Sequence, residues 1–270
     1  MPFVQTPDAK LHYTVFGPDD PQPGHKTVLL IMGLGGHASE WGEGFLSRLR
    51  QRYQLVCMDN RGIAESESRV DTWTLQDMAE DALAVLDAIS CTRACVAGTS
   101  MGGMVAQLLA LTAPERVERL ALMATSFGGR DSVPPGPEIN GLFLPPKGAS
   151  AREIQRQALR ALTAQGFAEA NAELVEQFSA QRERIGTKGR VFQAQFNALL
   201  TSDRSQVVRK LTAKTLVLHG DSDLLIPPAN GRLLAERIPG SQLIVLEHCG
   251  HLPHLEKPVE TSQALSDFFG

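Results

Sequence analysis

The sequence predicts an α/β protein: a mostly parallel sheet of about eight strands flanked by helices, with a helical cap inserted before the last strands. Three observations carry this. Short apolar runs alternate with stretches of helical periodicity through the first 125 residues, as strand–helix–strand units require. That alternation stops near Ser126, gives way to three helical patterns, and resumes at Thr215. A glycine-flanked turn, Gly98-Thr99-Ser100-Met101-Gly102-Gly103, joins an apolar run to a helical one. At 270 residues the chain fits one sizeable domain with an insertion, divided as core 1–125, cap 126–210 and core 211–270.

Each element has its own signal. Leu11–Phe16 reads as a strand with Tyr13 and Val15 on one face, closed by the turn cluster Gly17-Pro18-Asp19-Asp20-Pro21. Val28–Met32 and Leu55–Met58 are wholly apolar, as strands covered on both faces are. They lead into the loops Gly33-Leu34-Gly35-Gly36 and Asp59-Asn60-Arg61-Gly62. Thr74–Ile89 is a helix: Thr74 can cap it, and Leu75, Met78, Ala82, Val85, Leu86 and Ile89 keep helical spacing. Ala94–Ala97 is the strand before the glycine turn, Met104–Leu109 begins the helix after it, and Leu120–Ala124 is the next strand. The insertion opens with a Pro- and Gly-rich stretch from Ser126 to Lys147. Ser150-Ala151-Arg152-Glu153 then forms a capping box. Apolar stripes follow at Ile154, Ala158 and Leu162, at Leu174, Val175, Phe178 and Ile185, and at Phe192, Phe196 and Leu199. Thr215–His219 and Leu243–Leu246 are the last strands, with helices over Pro228–Arg237 and Pro258–Phe269.

Composition narrows the function. Hydrophobic residues make up 43%, enough for a large core, and the net charge is −4 with no long basic run, which argues against a nucleic-acid partner. The apolar runs, such as Val28–Met32, are far too short to span a bilayer, so no membrane role is expected. The N-terminal residues lack the basic and apolar segments of a signal peptide, which predicts a cytoplasmic protein. Cys57, Cys91, Cys95 and Cys249 show no zinc-ligand spacing, and reduced thiols are expected. Gly33-Leu34-Gly35-Gly36 lacks the third glycine of a dinucleotide fingerprint. Neither cofactor nor metal is expected, and the oligomeric state is not legible.

The chemistry resides in three motifs. Gly98-Thr99-Ser100-Met101-Gly102 is G-x-S-x-G between strand and helix, the nucleophile elbow. The turn is tight enough that its flanking positions must be small, and it would lift the Ser100 hydroxyl over the sheet edge beside a helix N-terminus. Thr215–His219 is followed by Gly220-Asp221-Ser222-Asp223, and Leu243–Leu246 by Glu247-His248-Cys249-Gly250-His251. Serine, carboxylate and histidine thus each follow a strand, in that chain order.

These motifs, G-T-S-M-G-G, H-G-D-S-D-L-L-I-P and C-G-H-L-P-H-L-E-K-P, resemble the α/β-hydrolase superfamily over almost the whole chain, least so from roughly 126 to 210. Within it the chain is similar to β-ketoadipate enol-lactonase-like proteins and small serine carboxylesterases, through Ser100–Val105, Ala113–Leu120 and Gly250–Pro258. The resemblance implies Ser100 as nucleophile, Asp223 as acid and His251 as base. Asp221 is a rival for the acid; the family's spacing to Pro227 favours Asp223. The family's other acid position here reads Ala124-Thr125-Ser126, without a carboxylate. The resemblance places the oxyanion donors on the backbones of Leu34 and Met101. Met32 stands where relatives commonly carry a histidine before that glycine. Asp59–Ser66 resembles the family's D-x-R-G-x-G-x-S loop and reads as scaffold, with Ala64 in place of the second glycine. Glu256 and Pro258 read as the start of the last helix, and His219 as a strand-end residue.

The implied activity is hydrolysis of a small-molecule carboxylic ester or lactone through an acyl-enzyme. A C–C bond hydrolase, a haloperoxidase or perhydrolase, and a ligand sensor on the same scaffold are the alternatives. An aspartate-nucleophile dehalogenase or epoxide hydrolase is disfavoured by Ser100. Phe143, Leu144, Phe178, Phe192 and Phe196 are the residues expected to line the pocket from the cap.

Overall fold

The computed structural model describes residues 2–17, 25–137, 139 and 148–270. Its described residues form a sheet of nine strands. They are β1 (Phe3–Gln5), β2 (Ala9–Phe16), β3 (Thr27–Ile31), β4 (Gln54–Met58), β5 (Glu67–Ser68), β6 (Ala94–Thr99), β7 (Val117–Met123), β8 (Lys214–Gly220) and β9 (Gln242–Leu246). The order is β1-β2-β4-β3-β6-β7-β8-β9, with β5 paired to β2. From β4 to β9 every pairing is parallel, and β1, β2 and β5 form an antiparallel margin. The strands beyond those named in the sequence are β1 and β5. Both are too short, at three and two residues, to leave a periodic signal.

β3 shows why the sheet is a core. All five of its residues are buried, and its side chains alternate between two apolar clusters. Leu29 and Ile31 join Met78 and Val85 of α2 (Leu75–Ala88) and Met104 of α3 (Met101–Thr112). Val28 and Leu30 join Phe45 of α1 (Glu43–Leu49) and Phe269 at the C-terminal end of the chain. Helices therefore cover both faces, as a parallel sheet demands. The expected cap on α2 is present: Thr74 Oγ1 accepts from the Asp77 N–H at 3.2 Å, and the Asp77 carboxylate accepts from the Thr74 N–H at 2.7 Å.

Between β7 and β8 the chain forms α4 (Ala151–Leu162), α5 (Phe167–Ala170), α6 (Ala172–Ile185) and α7 (Gly189–Leu200). The sequence shows three of these; α5 is a single turn. Ser150 caps α4 as its capping box predicts. Leu159, Ala168, Val175 and Phe178 make a small separate cluster, onto which Leu252 and Leu255 pack. The segments entering and leaving the insertion meet at a bridge between Gly128 and Asp203. After β8 come α8 (Ala229–Arg237), α9 (Pro253–Glu256) and α10 (Pro258–Phe269). No helix among the described residues is long and apolar enough to cross a membrane.

A buried ion pair fixes the loop after β4. Arg61 donates to both Asp81 oxygens, at 2.6 and 2.8 Å, and to the Asp77 carbonyl at 3.1 Å. Removing one partner of a buried pair leaves a charge without compensation, at a cost of about 3–5 kcal/mol. Asp81→Ala is therefore expected to destabilise the fold by about that amount in urea denaturation. Asp87→Ala, which breaks the exposed Arg116–Asp87 pair at 2.7 Å, is expected to cost less than about 1 kcal/mol. Equal losses for the two variants would contradict this account of the loop.

Candidate active site

Ser100 lies in the turn between β6 and α3, with φ 55° and ψ −124°. A non-glycine residue reaches that region only when its surroundings impose it. Here the glycines do so. A Cβ on Gly98 would lie 2.2 Å from the Gly102 carbonyl oxygen, and one on Gly102 would lie 2.1 Å from that of Ile31. The turn is thus pressed against β3, and Thr125 Oγ1 donates to the Ser100 carbonyl at 2.6 Å. The Gly103 N–H closes back on that carbonyl at 3.0 Å.

Asp223 and His251 follow β8 and β9 and are joined directly. His251 Nδ1 donates to Asp223 Oδ2 at 2.8 Å. A carboxylate only accepts, so Nδ1 carries the proton and Nε2 is left with its lone pair. The other Asp223 oxygen accepts the N–H groups of Leu225 and Ile226, each at 2.9 Å. Burial by itself would push this carboxyl up, but His251 and His219 outweigh it and hold it down at about 2. Asp221, the rival acid, is exposed and bonds instead to Ser222 Oγ at 2.7 Å and to the Cys249 N–H at 3.4 Å.

Two neighbours take parts that the sequence reading did not give them. His219 is wholly buried; its Nε2 donates to the Ile226 carbonyl at 2.7 Å and stands 3.4 Å from Asp223 Oδ2. It flanks the acid rather than merely ending a strand. Glu256 does not start the last helix: it ends α9, and Pro258 begins α10. The Glu256 carboxylate accepts from the N–H groups of Gly250 at 3.0 Å, Leu252 at 3.2 Å and Ala164 at 2.7 Å. It brackets His251 and ties that loop to the insertion, where the Leu162 carbonyl also accepts the His251 N–H at 2.6 Å. Cys249 is buried, and burial raises its thiol, so it is no nucleophile at neutral pH.

The loop after β3 lies beside Ser100. A Cβ on Gly33 would sit 3.0 Å from the serine Cβ and 3.5 Å from its hydroxyl. Gly33–Gly36 is a turn closed by the Gly36 N–H on the Gly33 carbonyl at 3.2 Å, with Gly35 at φ +68°. Since that carbonyl points into the turn, the Leu34 N–H of the same peptide points out of it. Met101 N–H is the first of the unpaired donors at the start of α3. The Met32 carbonyl is held by Asn60 Nδ2 at 2.9 Å. Asp59 accepts from the Ala38 N–H at 2.7 Å and pairs with His12 at 2.7 Å, so the polar groups of this loop hold scaffold.

The cap residues divide. Phe178 is buried in the cluster under α4 and α6, with the Arg182 guanidinium 5.2 Å from its ring centre. Phe192 lies against Gly35, where a Cβ would meet its ring at 3.2 Å, and it stacks with Phe196 at 6.4 Å. Phe143 and Leu144 lie outside the described residues. The sequence also left Arg182 unread: it grips the buried Glu40 with two donors, at 2.9 and 2.6 Å, joining α6 to the segment before α1. Among the described residues no group of three or more acidic, histidine or cysteine side chains could hold a metal ion.

Comparison with known proteins agrees with this architecture. The chain is 30% identical over 275 aligned positions to a protein of Variovorax paradoxus (strain S110) named as a candidate carbamate hydrolase, RutD, covering 96% of this chain and 95% of that one. It is 26% identical over 260 residues to 3-oxoadipate enol-lactonase 2 of Acinetobacter baylyi, covering 96% and 92%. The crystal structure of a hydrolase from Pseudomonas aeruginosa PA01 is similar at TM-score 0.83 and 28% identity, covering 100% and 98%. The family model for the alpha/beta hydrolase fold matches residues 26–258. With its glycine-pinched serine turn and its histidine–aspartate pair on the neighbouring strand ends, the chain belongs to the α/β-hydrolase fold family.

Proposed function

We propose that the chain is a serine hydrolase that cleaves a carboxylic ester or lactone of a small organic molecule. The observation that carries this is the strained Ser100 turn combined with the oriented His251–Asp223 pair. His251 Nε2 takes the Ser100 proton as Oγ attacks the carbonyl carbon. The oxyanion accepts from the N–H groups of Leu34 and Met101. Collapse breaks the bond to the alcohol oxygen, which takes the proton from His251, and leaves the acyl group on Ser100. Water, deprotonated by His251, then attacks the acyl carbon and releases the acid and Ser100. In a lactone the alcohol and acyl parts stay joined, and one hydroxy acid leaves. Asp223 keeps the imidazole in the tautomer that this requires and stabilises its charged form.

The enol-lactonase relative, matched over nearly its whole length, supports the lactone reading, and a hydrolase of 2-hydroxy-6-oxononadienedioate matched at the same 26% identity supports the C–C alternative on the same scaffold. The inserted helices α4–α7 act as the cap over the site, with Phe192 set against Gly35 of the loop after β3 and stacked with Phe196. Four free cysteines fit a reducing, cytoplasmic setting.

A fluorophosphonate should add once per chain, at Ser100, as located by mass spectrometry. Addition at another serine of the folded protein would overturn the assignment. Asp223→Asn should lower kcat by about four orders of magnitude, as loss of the orienting acid does in other triads, whereas Asp221→Asn should cost less than about tenfold. The reverse ranking would make Asp221 the acid. The Asp223 carboxyl, at about 2, lies below its ordinary value near 3.9. A carboxyl depressed by folding adds stability above its unfolded value and loses it as pH falls through the folded one. Wild type should thus lose roughly 2 kcal/mol more than Asp223→Asn between pH 4 and 2. Denaturant midpoints that fall in parallel would contradict it.

A further inference from the structure

The loop that carries the Leu34 N–H is held from outside the core. Gly35 N–H donates to Gln195 Oε1 at 2.8 Å, and the Gly35 carbonyl accepts from Thr187 Oγ1 at 2.8 Å. Thr187 precedes α7 and Gln195 lies within it, so both partners come from the insertion. Gln195 is fully buried. Its carbonyl must face Gly35, because a peptide N–H needs an acceptor, and its Nε2 is left buried with no partner among the described residues. That is a cost the protein carries to keep the acceptor in place, since an unpaired buried donor is unfavourable. Nearby, the Met32 carbonyl is held by Asn60 of the loop after β4, and the Gly33 carbonyl by the Gly36 N–H of the turn itself. The Leu34 N–H is flanked on its far side by Gly35, whose peptide groups bond only to the insertion among the described residues.

We infer that Gln195 and Thr187 are positioning residues: they clamp Gly35 and thereby aim the Leu34 N–H at the oxyanion. This rests on the serine-hydrolase reading above and extends it, making the insertion part of the machinery for transition-state stabilisation as well as a cover. Met32 offers this loop no polar side chain, and the clamp supplies polar support to it from the insertion. Phe192, on the same face of α7 as Gln195, seals the contact against Gly35.

The test uses Gln195→Met, which keeps volume and removes the acceptor, and Thr187→Val, which keeps shape and removes the donor. Active chains are counted by fluorophosphonate addition at Ser100, so misfolded protein does not enter the rate. Loss of one oxyanion donor lowers kcat about 10²–10³-fold, and a misaimed donor should lower it less. Gln195→Met is expected to lower kcat per titrated serine about 10–100-fold on a p-nitrophenyl ester, with KM changed less than threefold. A boronic acid, which forms a tetrahedral adduct on serine, should lose affinity in parallel with kcat. The Gly35 amide should exchange with deuterium faster than in wild type. Gln195→Glu, which retains an acceptor for Gly35, should recover much of the loss, and Thr187→Val should act in the same direction more weakly. A kcat per titrated serine within twofold of wild type for Gln195→Met, or a loss confined to KM, would overturn the inference while leaving the serine-hydrolase reading standing. Absence of fluorophosphonate addition at Ser100 in wild type would overturn that reading, and the inference with it.

Discussion

The contact between the β6–α3 turn and β3 is the constraint on which the site depends. Ser100 can hold φ 55° only because Gly98 and Gly102 let three backbone segments approach to distances that no Cβ allows. Such strain costs on the order of 1–3 kcal/mol and survives where the surrounding structure over-determines it. Here β6 lies inside the parallel sheet between β3 and β7, covered on both faces. The turn cannot relax without disturbing the core. The same approach brings the loop after β3 beside the serine and points the N-terminus of α3 at the same space. One steric fact thus gathers the serine and the two backbone N–H groups proposed to hold the oxyanion.

The acid–base half of the site is assembled by a different means, through buried charge. Asp223 is kept ionised against its burial by two histidines and two backbone N–H groups. Burial alone disfavours the ionised form, so those partners must all be present at once. Glu256 secures the loop that carries His251, through three N–H groups drawn from both the core and the insertion. The insertion is therefore bonded to both halves of the site: to the histidine loop through Leu162 and Ala164, and to the loop after β3 through Thr187 and Gln195.

What was legible in the sequence was local. Wholly apolar runs marked β3, β4 and β6, and the loops that follow β6, β8 and β9 carried the serine, aspartate and histidine within fixed motifs. The spacing argument for Asp223 over Asp221 agrees with the bond from His251 to Asp223. What escaped was long-range. Gln195 and Gly35 are 160 residues apart, Arg182 and Glu40 are 142 apart, and no periodicity links such partners. Glu256 and His219 stand within those motifs. Their types fitted helix-start and strand-end readings equally well, and only the folded geometry separates these. The split between Phe178, packed inside the insertion, and Phe192, set over the loop after β3, follows from the orientations of α6 and α7, which helical spacing does not encode.

In the proposed mechanism the reaction passes through an acyl group on Ser100. Rapid mixing of the protein with an excess of a p-nitrophenyl ester, read as nitrophenolate release with intact-mass analysis of quenched samples, tests it most directly. A burst near one equivalent per chain is expected, with a mass increase equal to the acyl group, located on Ser100, and with loss of both signals in Ser100→Ala. Steady turnover with neither burst nor adduct when product release is shown to be fast, or turnover that persists in Ser100→Ala, would contradict it.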